Sequence, residues 1–404
     1  MRQRRRSTSG RGLAGAAALF ACVAIISAAM MTSTPSASAG ASASVTTTVF
    51  GSSEAPGVQI FEIDGREYGV TTAINVLTFN MSQYRVRIAL AHHAIDGGVQ
   101  TPSSMCRSTP NCVAAVNGDY FDMTRPGQPD PGDEVGAITQ NCVLLHTPEI
   151  SHQQANLDGQ ILSQDFNWSD TVDVNGAVVP ISAINQELPM SYSKVDLVLS
   201  GTLLYSAPYA LKTPFAPGRV TYEFAIVGRS TSATRINATA RLKLVAITRR
   251  ALKLKKRQVA ISAPRGSMLS TLRVGDTIST TTRSTGGCNN IGGHPILIDQ
   301  GVAAPIAPAD TYMTKPYART VIGWTASGQT IILTVDGKDA VSGATGAQLV
   351  AILRSLNVVT ALDLDGGDST TLYAGGRIMN LPSLGFERPV STGLLVVRNS
   401  RASS

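Results

Sequence analysis

The sequence is poor in the residues that bind nucleic acids, metals and sugar rings. Only 15% of its 404 residues are charged, 5% are aromatic, and tryptophan occurs twice. The five cysteines and five histidines show no spacing typical of a zinc site. So few tryptophans argue against a protein that stacks sugars on aromatic platforms. The histidines are interpreted as ordinary surface or core residues.

The formal net charge of +7 comes mainly from the first 39 residues. Five arginines and no acid precede an almost wholly apolar stretch, 13–31, and the small-residue sequence Ala37-Ser38-Ala39. This order predicts a secretory signal, residues 1–39, and hence a secreted protein. An uncleaved N-terminal membrane anchor is the alternative. Without this segment 29 Lys and Arg face 27 Asp and Glu, so nucleic acid is not supported as a partner, and no stable membrane insertion is expected.

The remaining cysteines are even in number, which in an exported protein favours two disulfides. Four cysteines allow three pairings. We favour Cys106 with Cys112 as a local loop and Cys142 with Cys288 as a long-range link.

Short β-branched runs separated by glycine and proline dominate the chain after a Ser/Thr/Ala-rich lead-in, residues 40–56. We predict one domain over residues 57–398, of the α+β class, with β-rich mixed sheets and a few helices. Thr345 and Gln348 form a plausible capping box before a helix with an apolar face. That helix lies between apolar runs at 329–335 and 358–364, which predicts a right-handed βαβ unit near the C-terminus.

The second of these runs ends in an acidic, glycine-rich segment, LDLDGGDS. Asp363 and Asp365 would share one face of the strand, with Leu362 and Leu364 on the other, towards the helix. Neighbouring carboxylates raise one another's pKa unless a cation, an arginine or a shared proton intervenes. A divalent cation is therefore one of three solutions, and the sequence does not choose among them.

Similar polar clusters stand at other predicted strand ends. They are NGDYF (117–121), ARTVIG (318–323), VDGK (335–338) and ERP (387–389). Sites built from loops at the edges of sheets have this pattern.

Taken together, these motifs resemble the phosphodiester glycosidase family, whose bacterial members are often exopolysaccharide-related. The resemblance covers residues 113–398 and is strongest in the last hundred residues. Further elements carry it, in order: Ile184-Asn185, GSMLSTLRVGD (266–276), GGHPILIDQG (292–301) and NLPS (380–383). Two departures are Asp368, where the family usually has a small residue, and Tyr317-Ala318, where it usually has His-Pro; both bear on substrate identity.

The resemblance implies hydrolysis of a sugar-1-phosphate diester at the glycosidic bond, with a phosphorylated glycan or glycopolymer as substrate. A carboxylate beside the cationic anomeric carbon is expected, with Asp365 first, then Asp336 and Asp363. The remaining residues are expected to bind the substrate: Arg319, Arg388 and the Gly366-Gly367 turn for the phosphate, Ser369 as a hydroxyl donor, Asp368 as a neighbouring charge, and Asn117, Asp119 and Asn185 for sugar hydroxyls.

Two other functions stay open at this point. One is a metal-dependent phosphodiesterase that cuts at phosphorus. The other is a non-catalytic polysaccharide-binding protein on the same fold.

Overall fold

The computed structural model describes residues 55–123, 132–187, 200–207, 209 and 212–400. The expected signal, residues 1–39, and nearly all of the lead-in lie outside these residues. Within the described ranges, no helix has both the length and the apolar character needed to cross a bilayer.

The described part of the chain consists mainly of strands, as the sequence predicts. In chain order the first are β1 (Gln59–Ile63), β2 (Ile74–Asn80), β3 (Tyr84–Leu90), β4 (Cys112–Asn117), β5 (Ile138–Gln140), β6 (Val143–His146), β7 (Gln153–Asn156), β8 (Ile161–Ser163), β9 (Trp168–Val174), β10 (Ala177–Ile181), β11 (Ala183–Ile184) and β12 (Leu203–Ser206). They are followed by β13 (Arg219–Val227), β14 (Ala238–Thr248), β15 (Gln258–Pro264), β16 (Thr277–Ser284), β17 (Asn290–Gly293), β18 (Ile296–Asp299), β19 (Val302–Ala303), β20 (Arg319–Thr325), β21 (Gln329–Val335), β22 (Val358–Asp363), β23 (Leu372–Ala374), β24 (Arg377–Ile378) and β25 (Thr392–Arg398).

Helices are few and short. The α-helices are α1 (Pro102–Arg107), α2 (Thr311–Thr314) and α3 (Gly346–Ser355), and single 3-10 turns span Arg66–Tyr68, Ala91–His93, Met268–Thr271 and Gly367–Ser369. The β-rich α+β class predicted from the sequence is confirmed.

The strands form four sheets. Sheet I has the order β1-β2-β21-β20-β22-β18-β19, and sheet II has the order β10-β9-β16-β14-β13-β15-β12-β11. Sheet III is β6-β5-β17-β7-β8, and sheet IV is β24-β23-β4-β25-β3. Neighbouring strands pair antiparallel except β11 and β12, whose parallel pairing makes sheet II mixed.

Sheets I and IV pack face to face through one apolar cluster. It joins Ile322 and Leu362 of sheet I to Val116 and Leu394 of sheet IV. Alternate residues of sheet I face α3 instead, because successive side chains of a strand point to opposite faces; Val321 is one of these. The edge where the two packed sheets end carries the polar clusters seen in the sequence.

Helix α3 begins with the predicted capping box. The Thr345 hydroxyl accepts from the backbone N–H of Gln348, and the Gln348 side chain accepts from the backbone N–H of Thr345. Leu349, Ile352 and Leu353 are fully buried against sheet I. The spacing of apolar residues therefore predicts the packed face of this helix correctly.

The strands on either side of α3 do not pair with each other. β21 and β22 each pair antiparallel with β20, which lies between them, so the two strands run in the same direction. The handedness of the crossover stays a prediction. The expectation that Leu362 and Leu364 face the helix is wrong, because both belong to the cluster shared with sheet IV, and Ala361 packs on the α3 side.

Both favoured disulfides are present. Cys106–Cys112 links α1 to β4, and Cys142–Cys288 ties the β5–β6 turn to the segment before β17. The second bridge closes a long stretch of chain, so that sheet III is held at both ends of its sequence.

Candidate active site

The candidate site lies where sheets I and IV meet, at the ends of β4 and β22. The side-chain amide of Asn117 joins the two sheets there. Its Nδ2 donates to the backbone oxygen of Asp365 at 2.6 Å, and its Oδ1 accepts from the Thr320 hydroxyl at 2.8 Å and the Thr371 backbone N–H at 3.3 Å. Because its oxygen and nitrogen are both engaged, Asn117 positions Asp365.

Asp119 forms a buried pair with a histidine. The Nε2 of His152 lies 2.8 Å from Oδ1 of Asp119 and donates to it, as does the backbone N–H of Tyr120, also at 2.8 Å. A Cβ at Gly292 would lie 1.9 Å from Oδ2 of Asp119, and one at Gly136 would lie 2.1 Å from it. Only glycine lets these backbones approach the carboxylate, whose Oδ2 has no hydrogen-bond partner among the described residues.

Asp365 faces a serine and an arginine. The buried Ser369 hydroxyl hydrogen-bonds to the Asp365 carboxylate. Nη1 of Arg388 donates to the same hydroxyl at 3.3 Å. Arg388 is half-buried, and its guanidinium carbon lies 5.3 Å from the centre of the Phe121 ring. A half-buried cation is thus held next to a carboxylate.

The residue before Arg388 fixes the position of this segment. The carboxylate of Glu387 accepts from the backbone N–H of Ser103, in the first turn of α1, at 2.6 Å. A carboxylate at a helix N-terminus satisfies an N–H that the helix leaves free. The ERP motif therefore places its arginine through the preceding glutamate.

A third carboxylate, Glu134, reaches the same place from a different segment. Its side chain is buried, and the Ser391 hydroxyl donates to its Oε1. The charges of Asp119 and Asp365 both act on Glu134. Three acids therefore surround one small volume, with Arg388 and a histidine as the nearby basic groups.

The electrostatics of Asp365 suit proton exchange near neutral pH. Burial raises its pKa to about 7, and the charge of Asp119 acts in the same direction. The hydrogen bond from Ser369 and the charge of Arg388 oppose this rise. A general base is most effective when its pKa lies near the working pH.

The pKa values of Glu134 and His152 are also shifted. Burial, then the charges of Asp119 and Asp365, raise the pKa of Glu134 well above its usual value. Burial disfavours the cationic form of His152, but the charge of Asp119 and its hydrogen bond outweigh this, so the pKa of His152 rises. Asp119 therefore stabilises the cationic form of the His152 imidazole.

Tyrosines form one wall of the site. The Tyr120 hydroxyl donates to the backbone oxygen of His294 at 3.0 Å, and the rings of Tyr120 and Tyr312 meet edge-on at 6.1 Å. The Tyr312 hydroxyl would lie 2.2 Å from a Cβ at Gly366, so this position requires glycine. Tyr317, which stands in the family's His-Pro position, stacks on Tyr312 at 4.9 Å.

The Gly366-Gly367 turn does not present free N–H groups. The N–H of Gly367 donates to the backbone oxygen of Ala318 at 2.9 Å, and that of Gly366 bonds to the Asp365 carboxylate. The φ of Gly367 is 54°, which favours glycine. The glycines shape the turn and fix Asp365, whereas the sequence predicts phosphate binding for them.

Arg319 and Asp363 form a buried ion pair behind the tyrosine wall. Nη1 of Arg319 lies 3.1 Å from Oδ2 of Asp363, and both side chains are fully buried. The other N–H groups of Arg319 contact backbone oxygens and the Met313 sulfur, and its guanidinium carbon lies 4.1 Å from the centre of the Tyr312 ring. All five N–H groups of Arg319 have partners, and its guanidinium packs against the Tyr312 ring.

Asp336 lies apart from the Asp365 group. Its Oδ2 accepts from the backbone N–H of Leu381 at 3.0 Å, and burial raises its pKa to about 6. The neighbouring Asn380 donates to the backbone oxygen of Thr370 at 3.1 Å and accepts from the N–H of Leu372 at 2.7 Å. Asp336 thus anchors the segment that holds the loop after Ser369.

Asn185 is a structural residue in this geometry. It has a φ of 54°, is fully buried, and bonds through its amide to the Leu145 backbone oxygen at 2.7 Å and to Ser206 at 2.7 Å and 3.0 Å. Asp368 is half-buried, accepts from the Ser383 hydroxyl of the NLPS motif and lies beside the exposed Asp339.

One group in the described part of the chain has the geometry to hold a metal ion. Asp133, Glu149 and Glu187 are buried, with ligand atoms within 4.8 Å of one another. The group includes none of the acids of the candidate active site.

The fold is shared with solved bacterial structures. A hypothetical protein from Synechocystis superposes with a TM-score of 0.63 at 19% identity, covering 85% of this chain and 62% of that one. A putative exported protein from Burkholderia pseudomallei superposes with a TM-score of 0.59 at 18% identity, covering 81% of this chain and 74% of that one. Likeness at this level concerns the fold.

The family follows from the sequence comparison. Residues 224–397 match the family model described as phosphodiester glycosidase. A mouse N-acetylglucosamine-1-phosphodiester alpha-N-acetylglucosaminidase is 36% identical over 66 residues, and a cattle protein of the same name matches equally. That segment is 16% of this chain and 13% of the mouse protein. The resemblance predicted from the motifs is confirmed over residues 224–397, which match the phosphodiester glycosidase model.

Sequence reasoning selected Asp365, Ser369, Arg388 and Asp119, which the fold brings together. It missed His152, Glu134 and Tyr312. His152 and Glu134 lie in segments without regular periodicity, and their partners are far away in sequence. Tyr120 stood inside the NGDYF motif, so the motif itself was the available signal.

Proposed function

We propose that the protein is an exported hydrolase that cleaves the glycosidic bond of a sugar-1-phosphate diester in cell-wall or exopolysaccharide material. The observation that carries this proposal is the Asp365–Ser369–Arg388 arrangement. It offers a cation for the phosphate and a carboxylate for the anomeric carbon within one hydrogen-bonded unit. The match of residues 224–397 to the family supports the same chemistry.

Arg388 is the proposed phosphate ligand. Its half-buried guanidinium lies over Phe121 and contacts the Ser369 hydroxyl through Nη1 and the Met123 sulfur through Nη2, so only two of its five N–H groups are engaged by described residues. A planar guanidinium matches the geometry of phosphate oxygens. Arg319 does not share this role in our proposal, because its five N–H groups already have partners.

Asp365 is the proposed catalytic carboxylate. As the bond between C1 and the phosphate oxygen breaks, the electron pair leaves with the phosphomonoester, and C1 becomes cationic. The ionised Asp365 stabilises this charge and accepts the proton of the attacking water. The phosphomonoester is a stable anion, so departure needs little protonation, and Arg388 balances its growing charge.

Asp119, Glu134 and His152 are proposed to bind the sugar. The buried Oδ2 of Asp119 is an acceptor without a partner among the described residues, which suits a sugar hydroxyl. His152 fixes the other oxygen of this carboxylate. Asn117, Asp336 and the Arg319–Asp363 pair are proposed to act by positioning the chain around Asp365 and Tyr312.

The test is hydrolysis of a sugar-1-phosphate diester in ¹⁸O-labelled water. Cleavage at C1 places the label in the released sugar. Label in the phosphate would show attack at phosphorus and favour a phosphodiesterase. Retention of glycan without turnover of any diester, unchanged by Asp365→Asn and Arg388→Ala, would favour a binding protein.

A further inference from the structure

A second group of acids lies behind the candidate active site. Asp133, Glu149 and Glu187 are all at least nine-tenths buried, and their ligand atoms lie within 4.8 Å of one another. Asp133 is next to Glu134, which faces the active site. The adjacent acids Asp133 and Glu134 therefore belong to two different clusters.

A buried histidine points at this group. Nδ1 of His146 lies 2.8 Å from the backbone oxygen of Gly136, and a carbonyl only accepts, so Nδ1 carries the ring proton. The Nε2 of His146 lies 3.6 Å from Oδ1 of Asp133.

The Nε2 of His146 and the carboxylate of Asp133, buried side by side, require a proton or a cation near them. Nε2 of His146 has no hydrogen-bond partner among the described residues, and the Asp133 carboxylate faces another acid, Glu149; the side chains of His146 and Asp133 are almost completely buried. A separation of 3.6 Å is too long for a hydrogen bond. Adjacent ligand atoms at about 2.1–2.5 Å from one octahedral ion lie about 3.0–3.5 Å apart.

We propose that Asp133, Glu149, Glu187 and His146 bind one divalent cation. The second nitrogen of a metal-bound histidine commonly donates to a backbone carbonyl, as Nδ1 of His146 does here. Three carboxylates favour an oxygen-preferring ion such as Ca²⁺, Mg²⁺ or Mn²⁺. Of these three ions Mn²⁺ fits best with His146 as a ligand, since Mn²⁺ accepts both oxygen and nitrogen ligands.

The cation has a structural role in this proposal. It would fix the segment that begins at Asp133, carries Glu134 and passes Gly136, whose Cα lies against Asp119. The substrate does not contact it. This sets the proposal apart from a metal-dependent phosphodiesterase, in which the ion would bind phosphate.

The test measures metal content and unfolding temperature of the full chain as purified. We expect about one equivalent of divalent metal by elemental analysis, a fall of several degrees after treatment with EDTA, and recovery with one of Ca²⁺, Mg²⁺ or Mn²⁺ added singly. Zn²⁺ is tested as a fourth cation. If Zn²⁺ alone restores the unfolding temperature, the assignment of the site to an oxygen-preferring ion is wrong.

Asp133→Asn should abolish the metal-dependent rise, and Asp299→Asn, at an exposed acid of β18, should keep it. His146→Gln should weaken Mn²⁺ binding at least tenfold. If Asp133→Asn does not fold, the wild-type metal content and EDTA response still decide. A metal-free protein whose unfolding temperature responds to no cation would overturn the proposal and leave a shared proton between the acids. Because these readouts need no substrate, they are independent of the hydrolase assignment.

Discussion

Replacing Asp365 with asparagine should make the protein more stable and inactive. The substitution keeps the size and one acceptor of the side chain but removes its charge. Burial raises the pKa of Asp365 from 3.8 to about 7, so the folded state resists ionisation. An acid with a raised folded-state pKa lowers stability as pH rises from its unfolded value through its folded value.

The magnitude follows from the shift. Each pKa unit corresponds to 1.36 kcal/mol. The ionisation of Asp365 should therefore reduce the free energy of unfolding by about 2 kcal/mol at pH 5 and by about 4 kcal/mol at pH 8. Asp365→Asn should remove this penalty, so the advantage of the variant should grow by about 2 kcal/mol between the two pH values.

The assay is urea unfolding of wild type and variant at pH 5 and pH 8, with sugar release measured in parallel. The difference between the two proteins is the informative quantity, because other buried acids titrate in both. Sugar release should fall at least about a hundredfold, the loss expected for a general base.

Asp170→Asn is the matched control. Burial raises the pKa of Asp170 to about 6, and the Thr280 and Thr282 hydroxyls donate to it in sheet II, away from the candidate site. It should change the pH dependence of stability and leave sugar release unchanged. An Asp365→Asn variant no more stable than wild type at pH 8, or one that releases sugar at the wild-type rate, would refute the reasoning.

Three further predictions follow from the contacts. Arg388→Ala should lower kcat/KM about 10- to 100-fold, through both kcat and KM, with partial recovery in Arg388→Lys; unchanged kinetics would remove Arg388 from the phosphate site. Arg319→Met should destabilise the protein by about 3–5 kcal/mol in urea unfolding by leaving Asp363 buried without its partner, and Arg319→Met with Asp363→Leu should regain most of this; a neutral single variant would contradict the pairing. Serine at both Cys142 and Cys288 should lower stability by about 5 kcal/mol, because the bridge spans 146 residues, and a loss under 1 kcal/mol would argue against that constraint.

The sequence predicts well those features that depend on the spacing of nearby residues or on polar motifs at strand ends. The capping box and the buried face of α3 follow from residues within one helix. Cysteine number and separation favour one of three possible disulfide pairings, and that pairing is present. Asp365 and Arg388 are candidates from the sequence because each stands in a polar motif beside a strand, and functional residues are often placed on the loops that follow strands.

What the sequence could not predict is which partner each polar residue takes. The sequence predicts Arg319 as a phosphate ligand. The strand register instead places its side chain on the α3 face of β20, the same face as Val321, where it pairs with Asp363. The face of Leu362 was misassigned for the same reason. A one-residue change in register reverses both faces of a strand, and only the packing of sheet IV decides it.

The two halves of the candidate site come from different parts of the chain. Asp365, Ser369 and Arg388 lie within residues 224–397, the stretch that matches the family, whereas Asp119, Glu134 and His152 lie before it. The proposed phosphate half is therefore the part this chain shares with the family model. The proposed sugar half lies beside β4 and sheet III, whose two ends are linked by the second disulfide. Differences in sugar preference should accordingly map to this half, and exchanging its segments should alter the sugar accepted while leaving the phosphate requirement in place.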